Sequence, residues 1–81
     1  MTHVDEPLRR CFAAAFPDLE SGRIAGASVE NVAEWDSLHA LILVALIEEA
    51  FGVRIPSGDY PELRSHAAIA AYLEHATRAS S

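Results

Sequence analysis

Leu8, Phe12, Ala15 and Phe16 recur three or four positions apart, a spacing that predicts a first amphipathic helix over about 5–16. Pro7 falls in its first turn, where a missing N–H is harmless, and Pro17 ends it. From 17 to 35 the period is lost: Ser21, Gly22, Gly26 and Ser28 stand among isolated apolar residues such as Leu19, Ile24, Val29 and Val32. This stretch is predicted to be a long loop, pinned to the rest of the chain by those apolar side chains. A second helix is predicted over 36–51, with Asp36 or Ser37 as its cap and Gly52 as a left-handed terminator. Val53 and Ile55 follow in an extended turn closed by Pro56, and Asp59 to Leu63 suit a short helix. Ser65 caps a final helix over 65–76, where Ile69, Tyr72, Leu73 and Ala76 share a face; Ala79, Ser80 and Ser81 read as a frayed tail. The expectation is a single all-α domain over 1–81, a four-helix bundle of three main helices and one short one joined by a long first loop.

On a wheel of 100° per residue, Ala40, Leu43, Leu46, Ile47, Ala50 and Phe51 of the second helix fall in one arc, the predicted core face. Ser37 lies outside that arc with Leu41, Val44, Ala45 and Glu48. A serine there faces water at the start of an anchored helix. Exposed apolar residues on its stripe make Leu41, Val44 and Ala45, rimmed by Glu48 and Glu49, a candidate partner-docking surface. A first loop folded over them is the alternative.

Charge narrows the functional classes. Twelve acidic residues oppose six arginines, for a formal charge of −6, so a nucleic-acid backbone is repelled. The longest unbroken apolar run, Ala40 to Ile47, is far below the ~20 residues that span a bilayer. No secretory leader pattern opens the chain, and a cytoplasmic monomer is expected. The lone Cys11 reads as a core or boundary residue. His3, His39, His66 and His75 are scattered without metal-ligand spacing, so no metal site is expected.

Asp36-Ser37-Leu38 is weak evidence as a bare tripeptide, because a serine beside an aspartate at a helix start is usually a cap. Its context adds more. A phosphodiester at Ser37 would meet the free N–H groups and positive dipole end of the helix, a favourable place for an anion. Trp35-Asp36-Ser37-Leu38, then Ile47-Glu48-Glu49-Ala50-Phe51-Gly52-Val53-Arg54-Ile55-Pro56, then Leu63-Arg64-Ser65 and Ala67 to Leu73, resemble the acyl carrier protein family in order.

The resemblance implies that Ser37 receives phosphopantetheine from coenzyme A through a separate phosphopantetheinyl transferase that uses magnesium, with Asp36 and Leu38 in support. It further implies that the chain itself catalyses nothing, and that acyl groups ride as thioesters on the arm while acyl-loading, condensing or acyl-transferring enzymes act on them. Asp36 matches the acidic residue that precedes the modified serine in acyl carriers, where peptidyl carriers usually have histidine. Glu34-Trp35 replaces the usual glycine-alanine, and His39 and Ile42 stand where acidic residues are usual, which resembles discrete carriers of polyketide or other specialised pathways rather than primary fatty acid synthesis. Trp35 is expected to fill the junction of the first loop and second helix. His66, at a usually apolar position, is expected either beside the acyl chain's entry or simply at the end of the short helix.

Two rivals stand against the carrier. A hydrolase using Ser37 as nucleophile lacks a base in reach, since His39 is two residues away on a helix, and no glycines form an elbow. A helical interaction module, with the serine only a cap, differs from a carrier in few positions.

Overall fold

The computed structural model describes residues 4–79. Helix α1 spans Asp5–Ala15, α2 Ser37–Phe51 and α3 His66–Ala79. Two 3-10 helices lie between them, at Ser21–Gly26 and Ser57–Glu62, and no strand is present among the described residues. The architecture is all-α, as its helical periodicity predicts.

Local chemistry sets the boundaries. Asp5 and Glu6 place negative charge in the first turn of α1, where the helix dipole favours it. Phe16 leaves the helix geometry just before Pro17, and its N–H still reaches the Phe12 carbonyl. α2 ends at Gly52, whose φ of 64° is left-handed and costs a residue without Cβ little. The Gly52 and Val53 N–H groups both turn back to the Glu48 carbonyl. At the start of α3 the Ser65 hydroxyl accepts the Ala68 N–H at 3.0 Å, the expected cap.

Three expectations are corrected. The segment 17–35 is not a plain loop, because Ser21–Gly26 winds into a 3-10 helix that buries Ile24. Its later part is stitched to the start of α3: Ser28 bridges Ser65 antiparallel, Val29 N–H donates to the Arg64 carbonyl and His66 N–H to the Ala27 carbonyl, each at 2.9 Å. The short helix is a 3-10 turn that begins at Ser57, with Pro61 inside it. The last helix continues past Ala76 to Ala79, so Ala79 is helical, while Ser80 and Ser81 lie outside the described residues.

Leu8 and Phe12 from α1, Leu43 and Ile47 from α2, Ile69 and Leu73 from α3, and Ile24 are the largest fully buried side chains. Each contributes about 1.5–3 kcal/mol of burial free energy. Around Phe12 the packing is aromatic: Trp35 meets its ring edge-on at 5.5 Å and His66 lies at 5.3 Å, while Phe16 bridges to Trp35 at 5.5 Å. Trp35 is 7% exposed and fills the junction of the first loop with α2, as expected. Cys11 is buried too, and burial raises its thiol pKa, which disfavours the nucleophilic thiolate.

Helix α2 presents a different stripe from the one predicted. Leu43, Val44 and Ile47 are buried, Leu46 and Phe51 are half-buried, and Ala50 is exposed. The helix is apolar on nearly every side, so periodicity alone could not choose which stripe packs. The neighbouring elements chose it.

Candidate functional site

Ser37 is the first residue of α2, and it is exposed. Asp36 before it is the N-cap, with extended backbone at φ −101° and ψ −171°. Its Oδ1 accepts the backbone N–H of His39 at 2.9 Å, and the His39 ring lies at the same distance from that oxygen through Nδ1. With the carboxylate ionised, Nδ1 is the protonated ring nitrogen. The His39 N–H, then its ring, hold the Asp36 pKa below the ordinary carboxylate range. Asp36 is therefore an anion committed to His39, and the Ser37 hydroxyl forms no hydrogen bond with any described residue.

His39 is fixed on its other side. Its ring stacks on Phe16 at 5.7 Å with an interplanar angle of 20°, so the capping pair is tied to the end of α1. A serine nucleophile needs a base on its own hydroxyl, and here no hydrogen bond joins the His39 ring to Ser37. The site instead offers an accessible hydroxyl on a rigid helix end. Ser37 and Leu38 have no intrahelical acceptor for their N–H groups, and the dipole there favours an added phosphate. These residues fit a serine-linked phosphodiester.

Beyond the serine, α2 shows water an apolar face: Leu38 is 62% exposed, Leu41 53% and Ile42 39%. Ala45 and Glu49 are exposed on the same side. Of the residues predicted to dock partners, Leu41, Ala45 and Glu49 are on this surface. Val44 is not: at 7% exposure it belongs to the core, because the buried stripe of α2 is turned toward it. Glu48 is only half-exposed, and its Oε2 accepts the Ile55 N–H at 2.7 Å, which fastens the turn after Gly52. Its carboxylate is occupied within the fold, so it does not stand as a free charged rim. Ile42 was missed as a surface residue, although its place where acidic residues are usual was the available signal.

Other polar groups lie away from the serine. Tyr72 donates its hydroxyl to Asp59 at 2.7 Å, clasping the second 3-10 helix to α3, and this bond pushes the phenol pKa up to about 12. His66, the first residue of α3, is 7% exposed, and its Nε2 has no hydrogen-bond partner. Neither the entry nor the helix-end expectation described it: it is a core residue against Phe12. No group of three or more metal-ligating side chains occurs among the described residues, and no helix of these is long and apolar enough to cross a membrane.

Residues 27–73, more than half of the chain, match a family model described as the phosphopantetheine attachment site. No curated protein and no solved structure gives a significant match.

Proposed function

The chain belongs to the phosphopantetheine-attachment family of acyl-carrier-like domains, and from that premise we propose that Ser37 carries the arm and that acyl intermediates are held on it as thioesters. Phosphopantetheine is the group this family attaches covalently, and its carrier domains are generally non-catalytic. The observation that carries the assignment to Ser37 is an exposed serine hydroxyl, without a protein partner, on the first residue of a capped helix. The bond formed there is a phosphodiester, and the helix end supports its charge. Asp36 acts as the cap that fixes the serine's backbone, and Leu38 stands exposed beside it for the transferase to grip.

The pathway reading is polyketide or related specialised biosynthesis in the cytoplasm, with the chain working as a monomer. Trp35 before the Asp-Ser-Leu run, and His39 and Ile42 in place of acidic residues, support it. The same residues favour partners that recognise α2 through an apolar contact. Leu38, Leu41, Ile42 and Ala45 form that contact, and Glu49 is its uncommitted carboxylate. Replacing Leu41 with Glu places a charge in the middle, and transfer rates from partner enzymes are expected to fall on the order of tenfold, the equivalent of about 1.4 kcal/mol. Unchanged rates with every partner would remove the apolar-docking reading.

The attachment itself is tested by intact mass. After incubation with coenzyme A, magnesium and a broad-specificity phosphopantetheinyl transferase, the chain gains one arm, and Ser37→Ala gains none. A folded chain that takes up no arm is instead a helical interaction module.

A further inference from the structure

Beneath the first turns of α2 lies a small apolar cavity of about 30 Å3. Ala40, Leu43, Val44 and Ile47 line it from one stripe of α2; Tyr60 and Leu63 come from the second 3-10 segment and its end, and Ile69 from α3. The remaining wall is Trp35, two residues before the serine. Its indole is held edge-on against Phe12 and tilted against Phe16, and both of those rings are themselves buried. The indole is thus wedged between the aromatic cluster and the cavity, in a packed interior where a side chain of that size has no empty volume to swing into.

We infer that Trp35 sets the acyl capacity of this domain: it occupies the space into which a chain on Ser37 would otherwise fold, so medium and long acyl groups stay outside the bundle. This deepens the carrier reading and rests on it. A water needs about 10–15 Å3 of such volume, so the cavity admits roughly two methylene-sized groups. An octanoyl chain overfills it, whereas an acetyl group needs no shelter. The other lining residues offer little relief, since Leu43, Ile47 and Ile69 are fully buried and support the helix packing. Trimming Trp35 has a different effect, because interior spaces of about 150 Å3 lined by apolar side chains stay dry and take a benzene-sized guest. Trp35 is therefore a specificity-determining residue, acting through volume and making no contact with the reacting thioester.

The test uses the carrier loaded with its arm and acylated with either acetyl or octanoyl, and follows thioester cleavage by hydroxylamine. In the wild type both thioesters are cleaved at rates within about twofold, because each chain spends its time in solvent. In Trp35→Ala the octanoyl thioester is cleaved at least about fivefold more slowly than the acetyl one, since only the emerged fraction reacts. Trp35→Leu, which keeps apolar bulk at the junction, gives an intermediate ratio. Wild-type octanoyl protected severalfold over acetyl overturns the inference, whether or not the variants fold. Folded variants that leave octanoyl unprotected also overturn it. Failure of the arm to attach at all would appear first, as an absent mass gain, and would sink the carrier reading together with this one.

Discussion

His66 gives the most direct check on how the core is built. It stands at the first position of α3, 7% exposed, with its ring 5.3 Å from that of Phe12 and its Nε2 unpaired. Burial drives its pKa below the ordinary imidazole value of 6.5; the carboxylate of Asp5 works against that shift and Arg9 adds to it. A cation here also opposes the positive end of the α3 dipole. The folded state therefore disfavours the charged ring, while the unfolded chain takes up a proton near pH 6.5.

The sign follows from proton counting. Below about pH 6.5 the unfolded state binds more protons, so stability falls as pH falls toward the depressed folded-state pKa, and the contribution is fully present above 6.5. The ceiling on that loss between pH 6.5 and 5.0 is about 2 kcal/mol, reached only if the folded ring takes up no proton. Substitution with Leu removes the titration and the unpaired nitrogen together. At pH 7.5 the relief of about 1–3 kcal/mol for a buried unpaired polar atom is partly offset by about 0.5–1.5 kcal/mol of lost ring contact. His66→Leu is thus expected to be about 1 kcal/mol more stable than wild type at pH 7.5, roughly 4–8 °C in Tm for a domain of this size. At pH 5.0 the gap widens by up to the same 2 kcal/mol. Urea denaturation of both proteins at the two pH values measures it, and the difference between them cancels the other titrating groups. A gap that is equal at pH 7.5 and 5.0 refutes the buried neutral histidine.

Two further outcomes follow from single contacts. Glu48→Ala leaves the Ile55 N–H without its charged acceptor and is expected to cost about 1.5–3 kcal/mol in urea denaturation. Glu48→Gln, which keeps an acceptor oxygen, costs less, and equal losses for the two would show that the contact is not what matters. Tyr72, whose phenol is pushed up to about 12 by Asp59, contributes stability that is present below pH 10 and is lost as pH rises through the folded value. Alkaline titration followed by tyrosinate absorbance should show a late component that disappears in Tyr72→Phe; its persistence in the variant would remove the Asp59 clasp.

The helices and the serine proposed for attachment were legible in the chain because their signals are local. Pro17 ends α1, Asp36 caps α2, Gly52 supplies the left-handed turn and Ser65 caps α3, each through backbone geometry within a few residues. The same locality placed Ser37 at a helix start, where a hydroxyl meets water. Which stripe of α2 is buried was not local. With Leu, Ile, Val and Ala on nearly every side, its periodicity had no sharp maximum, and the packing of α1, the first loop and the second 3-10 segment decided that Val44 goes in and Ala50 stays out. Tertiary structure likewise turned Glu48 from a surface charge into the partner of Ile55, and buried His66 against Phe12. It also set Trp35 as a wall of the cavity beneath the serine's helix. The Glu48–Ile55 contact spans only seven residues, but it needs the turn after Gly52 to form, and the contact of His66 with Phe12 joins residues so far apart that no window along the chain contains both.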